Sequence, residues 1–222
     1  MKIPETILVI IQRSNGDVFF SSSLVAALQD HYPLSKIDLL VNDDTIPIAK
    51  LIPYINKIHY FSYAKKKTSR WLQEKKIISK IFKKYDLSIN LTASDRSVIY
   101  SLLAGKISIS PVEKSLKKSW WKKLLLNHFY FFDKKNHILI NNLKPLRFLN
   151  IKSQNIHKPI VVSEIITNIV KTKLRSKKIK DFVIFHPSSQ YEYKNYPQHL
   201  RNDLLNYLND LGVSILSTGG NS

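Results

Sequence analysis

Short, β-branched apolar runs alternate along this chain with segments of helical periodicity. The first run, ILVII at 7–11, is continuous and is followed by polar residues, which is typical of a strand buried on both faces. Comparable runs at 37–41, 58–61, 87–91 and 106–110 are separated by segments with helical spacing of apolar residues. Strands that alternate with helices predict a parallel sheet covered by helices on both faces, and right-handed crossovers make that sheet doubly wound.

The same plan begins again near the carboxyl end of the chain. Residues 182–185 and 213–216 predict two more strands. A leucine-rich segment at 197–211, followed by a glycine suited to a helix C-cap, predicts the helix between them. We therefore predict an α/β protein with a complete Rossmann-like N-terminal domain over 1–160 and the start of a second Rossmann-like domain over 161–222.

The stretch between these two regions is less regular. Within 111–157, the tryptophans at 120–121 and the aromatic run at 129–132 supply large apolar surface. We expect them to pack in the core or against helices, with base-stacking platforms as the alternative. Residues 158–180 predict a helix followed by a basic linker at 171–180.

The composition requires a folded core and supplies a large positive charge. Of the 222 residues, 44% are hydrophobic, which excludes a disordered chain, and the lack of cysteine excludes disulfides and thiolate metal sites. Lys and Arg number 35 against 16 Asp and Glu, so the formal net charge is +19. This charge favours a polyanionic partner such as nucleic acid, an anionic membrane surface or an acidic glycan, although dispersed lysine runs also occur on solvated faces.

The amino-terminal apolar run predicts neither membrane insertion nor export. The run at 7–11 is far shorter than the roughly 18–20 residues that span a bilayer. Gln12 and Arg13 interrupt it, and it lacks a small-residue cleavage site. We therefore expect a cytoplasmic protein, with peripheral membrane contact left open.

The turn after the first predicted strand is the first candidate site. Ligands of doubly wound sheets bind beyond the carboxyl ends of the strands, and this turn carries Arg13, Ser14, Asn15, Gly16 and Asp17. Gly16 permits a left-handed backbone or close approach to a ligand, and backbone N–H groups at a helix start favour an anion. Asp17 can cap the helix, complement its positive end, or act as a general base towards an acceptor hydroxyl.

Two later turns also follow predicted strands. The HPSSQ turn at 186–190, together with Lys194, offers hydroxyls, backbone amides and a positive charge that suit a diphosphate, and an ordinary Ser/Pro turn is the alternative. Thr218, Gly219 and Gly220 form either a tight turn or a place where a ligand approaches the backbone closely. The sequence has no HExxH motif and no carboxylate cluster, so we predict no metal site.

Four stretches, taken in order, carry a resemblance to a known family. They are ILVIIQRSNGDVFFSSSLVAAL at 7–28, the Tyr-Pro and strand at 32–41, YDLSINLTASDRSVIYSLLAG at 85–105, and FHPSSQYEYKNYP with the later TGG turn. The chain resembles the lipopolysaccharide heptosyltransferases, glycosyltransferase family 9. The resemblance is weakest over 106–180.

The resemblance implies a GT-B fold, in which two Rossmann-like domains carry the acceptor and the nucleotide-sugar. It implies an inverting, metal-independent glycosyltransferase without a cofactor, which uses a donor such as ADP-heptose and an acidic, lipid-linked glycan acceptor at the cytoplasmic surface of the inner membrane. Asp17 matches the catalytic base. The acceptor side comprises Arg13, Ser14, Asn15, Gly16 and Arg96. The donor-phosphate and nucleotide positions are Ser188, Ser189, Lys194, Gly219 and Gly220.

Several residues depart from the family pattern. Ser188 stands where Gly is usual, Tyr196 where Trp is usual, and Asn90 where Asp is common. The chain ends at Ser222, before the family's later donor loop, so we expect an acceptor domain with the opening third of a donor domain and weak donor binding. Arg96 can instead serve packing or a surface ion pair. Two alternatives are a basic module that binds nucleic acid or an anionic surface without catalysis, and a non-catalytic remnant.

Overall fold

The computed structural model describes residues 3–152, 160–189 and 192–219, and it divides the chain into two compact units. Unit 1 is Met1–Val161 and unit 2 is Val162–Ser222. None of the helices in the described ranges combines the length and the apolar character that are needed to cross a bilayer.

Unit 1 is built on a parallel sheet of six strands in the order β3-β2-β1-β4-β5-β6. The strands are β1 (Thr6–Ile10), β2 (Lys36–Asn42), β3 (Ile55–Phe61), β4 (Tyr85–Asn90), β5 (Gly105–Val112) and β6 (His128–Phe131). The helices are α1 (Asn15–Phe19), α2 (Ser22–His31), α3 (Ile46–Ala49), α4 (Lys66–Ile81), α5 (Asp95–Ala104), α6 (Leu116–Leu125) and α7 (Ile138–Leu143). Single 3₁₀ segments at Asp43–Thr45 and Lys144–Leu149 complete the unit.

Helices cover both faces of this sheet, as the alternating pattern predicts. Ile7 and Val9 of β1 pack with Leu24 of α2 on one face, whereas Leu8 and Ile10 pack with residues of α4 and α5 on the other. Burial of both faces explains the unbroken apolar run of β1, because each aliphatic side chain removed from water contributes about 1.5–3 kcal/mol. The doubly wound, Rossmann-like fold class is confirmed.

The structure corrects the expectation for the stretch after β5. It contains a helix, α6, and a sixth strand, β6, which pairs with β5 at the edge of the sheet. The aromatic side chains there do not all enter the core: Trp121 and Phe129 pack against a buried cluster, but Trp120 is 63% exposed and Phe131 lies at the surface. The strand is short and only partly buried, so its sequence lacks the continuous aliphatic run of the central strands.

Unit 2 contains two parallel strands and two helices. They are α8 (Glu164–Ser176), β7 (Phe182–Phe185), α9 (Gln198–Asp210) and β8 (Ser214–Ser217), with a 3₁₀ turn at Glu192–Lys194. The helix predicted within 158–180 is confirmed as α8, but the predicted basic linker begins too early, because the basic run from 171 continues the helix to Ser176 and only 177–180 lie beyond it. Gly212 has φ +67° directly after the C-cap of α9, which confirms its predicted capping role.

Candidate functional site

The strand order places a crevice between β1 and β4, where the chain reverses its direction across the sheet. Such a switch point is where open α/β sheets bind ligands, outside the carboxyl ends of the strands. The ends of the two strands are tied together: the Leu91 N–H donates to the Ile10 carbonyl at 2.8 Å, and the Gln12 N–H donates to the Thr92 Oγ1 at 3.0 Å. The turns that follow β1 and β4 therefore start from one rigid edge.

Asp17 lies in the first turn of α1, immediately after β1, and two neighbours hold its carboxylate. The Arg13 Nε donates to Asp17 Oδ2 at 2.8 Å, and the Ser14 Oγ donates to the same oxygen at 3.0 Å. The Arg13 guanidinium also lies 5.4 Å from the centroid of the Phe132 ring, so it contacts the residue that directly follows β6. The Asp17 side chain is 18% exposed. A carboxylate fixed in this way and open to solvent can accept a proton from a bound hydroxyl.

The other two residues of this turn belong to α1 itself. Asn15 is the first residue of the helix and Gly16 is the second. Gly16 does not use a left-handed backbone, and a Cβ built on it would meet nothing within 4 Å. The space beside Gly16 is therefore open, and the predicted close approach of a ligand to this backbone stays a prediction. Asp17 does not act as the N-cap, a position held by Ser14.

Arg96 projects from the start of α5 towards aromatic side chains that follow β3. Its guanidinium lies 4.0 Å from the centroid of the Phe61 ring and 4.9 Å from that of Tyr63. Its Nη2 donates to the Tyr63 hydroxyl at 2.7 Å, while its buried Nε has no hydrogen-bond partner. Arg96 is therefore packed on aromatic rings at the carboxyl edge of the sheet, with one donor left over.

Two buried amides at the same edge were missed by the sequence analysis. Gln12 and Asn42 are each only 7% exposed, and both polar atoms of the Gln12 side chain and the Oδ1 of Asn42 have no partner. Gln12 and Asn42 each lie two residues beyond Ile10 and Leu40, the last pair of β1 and β2. Buried amides without partners are costly unless a ligand or water satisfies them. The sequence signal that could have identified Gln12 and Asn42 is a polar residue directly after a buried apolar run.

Lys122 was also missed, because a lysine in a basic helix predicts a solvated side chain. It is 1% exposed, and its amine donates to the Ala93 carbonyl at 2.8 Å and pairs with Asp95 Oδ1 at 2.7 Å. It thereby holds the turn between β4 and α5, which carries Arg96. Lys122 is a positioning residue for that turn.

In unit 2 the turns after β7 and β8 come together, because parallel strands end at the same edge. The Thr218 N–H donates to the Phe185 carbonyl at 2.9 Å, and the His186 Nδ1 lies 3.0 Å from the Thr218 Oγ1. A Cβ on Gly219 would lie 3.6 Å from the Ser188 Oγ, so these two predicted residues are neighbours. Helix α9 also holds this turn, since its Arg201 Nη1 donates to the Pro187 carbonyl at 3.2 Å.

The remaining donor-side residues are placed around this turn. The Ser189 N–H donates to the Asn195 Oδ1 at 2.7 Å, which links the turn to the segment after the 3₁₀ helix. Lys194 ends that short helix, with its Nζ 5.7 Å from the centroid of the Tyr193 ring. Gly220 lies outside the described residues. Within 3–152, 160–189 and 192–219, no three acidic, His or Cys side chains group as a metal site.

No protein-family model matches the chain, but curated relatives do. Lipopolysaccharide heptosyltransferase 3 of Escherichia coli is 33% identical over 101 residues, which cover 44% of this chain and 30% of that protein. The protein of the same name from E. coli strain K12 is 26% identical over 221 residues, which cover 95% of this chain and 62% of that protein. The chain therefore spans less than two thirds of the length of these relatives.

Solved structures give the same fold. The glycosyl transferase family 9 protein of Veillonella parvula matches with a TM-score of 0.82 at 17% identity, covering 99% of this chain and 64% of that one. The E. coli heptosyltransferase WaaC with ADP matches with a TM-score of 0.71 at 18% identity, covering 98% and 68% of the two chains. The solved structures thus show that the chain shares the fold of glycosyltransferase family 9 proteins, and the curated relatives show that its sequence is similar to lipopolysaccharide heptosyltransferases.

Proposed function

We propose that the chain provides the acceptor side and the opening part of the donor side of an inverting, metal-independent glycosyltransferase. The substrates would be an ADP-linked heptose or a similar nucleotide-sugar and an acidic, lipid-linked glycan of the lipopolysaccharide core. The transfer would take place at the cytoplasmic surface of the inner membrane. The observation that carries the proposal is the Asp17 carboxylate, fixed by Arg13 and Ser14 beyond the end of the central strand β1.

In the proposed mechanism, Asp17 takes the proton from the acceptor hydroxyl as its oxygen attacks the anomeric carbon of the sugar. The new carbon–oxygen bond forms on the face opposite the departing diphosphate, so the configuration at the anomeric carbon is inverted. The bond between that carbon and the phosphate oxygen breaks, and the nucleoside diphosphate leaves with the electron pair. Arg13 and Ser14 hold the Asp17 carboxylate in place for this step, since both donate hydrogen bonds to its Oδ2.

The leaving diphosphate would be stabilised by the turns of unit 2. Ser188 and Ser189 offer hydroxyl donors, Gly219 lets the backbone come close, and Lys194 adds a positive charge. Charge stabilisation by fixed donors can substitute for a metal ion at such a group. Arg96, with an unpaired buried Nε, suits an anionic group of the acceptor.

The decisive experiment is the substitution Asp17→Asn in a full-length version of the protein, assayed for transfer of the sugar from ADP-heptose to a core acceptor that lacks it. The amide keeps the shape but cannot accept the proton, so turnover should fall about 10²–10⁴-fold. The matched control is Asp44→Asn, which changes an exposed carboxylate beyond β2. Equal turnover of the Asp17→Asn variant and the unsubstituted chain would remove Asp17 from the mechanism.

A separate titration addresses the donor side, since the chain spans only part of its relatives. A ligand that binds the native state raises the unfolding temperature, and ADP-heptose should do so in this chain. Lys194→Ala should reduce that rise, because it removes a charge from the diphosphate site. No rise with the unsubstituted chain would contradict a working donor site in these residues.

A further inference from the structure

Three helices, α4, α5 and α6, form one layer on a single face of the unit 1 sheet. Ile77 and Ile81 of α4 pack with Leu8 and Ile10 of β1, in a cluster that also contains α5 residues. Val98 of α5 packs in turn in a cluster with Trp121 of α6. The inward sides of these helices are therefore occupied by the core, and their outward sides form a surface of their own.

That outward surface exposes large apolar side chains that the fold leaves uncovered. On α4, Trp71 is 84% exposed and Leu72 is 72% exposed. On α6, Trp120 is 63% exposed and Leu124 is 75% exposed. Scattered exposed apolar residues are normal, but two neighbouring large side chains exposed on α4 and two on α6, all on one helix layer, favour an interaction surface on this layer. We call this set, with Ile78 and Phe82 of the α4 groove, the docking face.

An open groove of about 620 Å³ runs along α4 within the docking face. Trp71, Ile78 and Phe82 supply its apolar lining, and Lys75 lies at its side. These residues recur at helical spacing, so the groove follows the outer stripe of the helix. The Glu74 carboxylate accepts a hydrogen bond from the buried Tyr100 hydroxyl and is therefore engaged with the protein interior.

Positive charge surrounds this apolar surface. The sequence of α4 contains six Lys or Arg residues and one Glu, and that of α6 contains four Lys residues and no acidic residue. Lys122 of α6 is buried and does not contribute to this surface. Lys75, Lys76 and Lys80 of α4 and Lys117 of α6 are exposed, and Lys83 follows α4. Long lysine side chains can lie along apolar surface while their amines reach phosphate groups.

We propose that the docking face binds the interface of an anionic lipid bilayer, with its aromatic and aliphatic side chains among the acyl chains and its lysines at the phosphate headgroups. Tryptophan and lysine side by side suit the boundary between hydrocarbon and headgroups, whereas the core of a protein–protein interface is depleted in lysine. Each lysine near an anionic surface adds to the attraction, and the excess of basic residues on α4 and α6 supplies several. The proposal rests on the proposed lipid-linked acceptor for its setting, but its structural basis is independent of Asp17.

The tryptophans make the proposal directly measurable. The chain has three, and all of them lie on α4 and α6. With vesicles of phosphatidylcholine and phosphatidylglycerol, we expect the tryptophan emission to shift to shorter wavelength and brominated acyl chains to quench it. Vesicles of phosphatidylcholine alone should produce a much weaker effect. No spectral shift and no co-sedimentation with anionic vesicles at low salt would overturn the proposal.

Matched variants separate insertion from simple charge attraction. The double variant Trp71→Ser/Leu72→Ser should weaken co-sedimentation with anionic vesicles at least about tenfold, since binding scales with buried apolar area. Leu34→Ser, at a 93% exposed leucine outside the docking face, should leave it unchanged. Because all three positions are exposed, thermal unfolding should show that each variant folds. Binding that salt abolishes but the double variant does not alter would also overturn the proposal.

Two further outcomes identify other occupants of this surface. Concentration-dependent dimerisation that the double variant abolishes, without vesicle binding, would assign the docking face to a second copy of the chain and overturn the proposal. The Asp17→Asn variant should bind vesicles as the unsubstituted chain does, even though its transfer activity is lost. Failure of vesicle binding can therefore be told apart from failure of the proposed transfer reaction.

Discussion

At the level of single residues, the sequence left both helix capping and proton transfer open as roles for Asp17. The structure assigns the N-cap position to Ser14. Asp17 is neither buried nor a helix cap, and both of its hydrogen bonds come from the same turn. Arg13 is held in turn by the Phe132 ring, so the direction of its guanidinium is restricted. Gly16 lies between them with open space where a side chain would be.

Substitution of Gly16 tests whether that open space is used by a ligand. Gly16→Ala should leave the unfolding temperature unchanged or raise it, since Ala is favoured over Gly in a helix by about 1 kcal/mol and the new methyl group meets no neighbour. Transfer should nevertheless fall, because the methyl group occupies the approach to the site. Thermal unfolding and an activity assay on one preparation check both effects, and normal activity would show that no ligand comes close to Gly16.

Gly105 supplies the contrast for that experiment. A Cβ there would lie 2.7 Å from the backbone nitrogen of Ser88, so Gly105→Ala must displace strand β4 or β5. Overpacking of this kind typically costs about 1–3 kcal/mol. The sequence alone does not distinguish the two glycines. Only the structure shows that Gly16 borders open space and that Gly105 packs closely against β4.

At the level of elements, β2, β3 and β4 share a buried polar cluster near the amino-terminal side of the sheet. The Asp38 Oδ1 accepts from the Asn56 Nδ2 at 2.8 Å, and the Asp38 Oδ2 accepts from the Tyr85 hydroxyl at 2.8 Å. The His59 Nε2 lies 3.6 Å from the same Asp38 oxygen. Burial raises the pKa of Asp38, but hydrogen bonds from His59, Asn56 and Tyr85 outweigh burial, so the pKa is lowered. The hydrogen bonds from β3 and β4 therefore stabilise the ionised form of Asp38.

This cluster predicts how stability depends on pH. A carboxyl group with a lowered pKa in the folded state stabilises the protein above its ordinary pKa, about 3.9, and loses that contribution as the pH falls towards the lowered value. Thermal unfolding of Asp38→Asn should therefore depend less on pH below about 4 than that of the unsubstituted chain. Asp44→Asn, at an exposed position, should keep the original dependence. Equal slopes for all three proteins would contradict a stabilising role for ionised Asp38.

For the whole molecule, the two units differ in how much apolar surface they bury. The residues 7–11 of unit 1 are entirely inaccessible to solvent, whereas α8 and α9 of unit 2 have no buried residue among those described. A two-stranded sheet is marginally stable without further packing. We therefore expect the units to open at different free energies.

Amide hydrogen exchange of the chain should reveal this difference. The amides of β1 and β4 should exchange slowest, because their opening requires disruption of the central sheet, and those of β7 and β8 should exchange at least ~100-fold faster. Mass spectrometry of peptic peptides resolves the strands. Equal protection of β7 and β1 would show that unit 2 is as stable as unit 1.

Much of the fold could be predicted from the sequence, because strands buried on both faces need continuous aliphatic runs and the helices between them need one apolar stripe. These requirements located β1, β2, β4 and β7 to within one or two residues. They failed at β6, because this short edge strand is only partly buried and lacks a continuous aliphatic run. They predicted the helix before β7 but ended it too early, since the basic residues from 171 continue α8 to Ser176.

The candidate site divides in the same way. The turn with Asp17 and the turns after β7 and β8 could be located from local sequence, since each directly follows a strand and carries its polar groups within a few residues. Gln12, Asn42 and Lys122 could not, because their importance comes from burial beside residues distant in the chain. Whether a polar side chain is solvated or buried depends on which elements pack over it, and that is a property of the folded sheet and its helices, not of the neighbouring residues in the sequence.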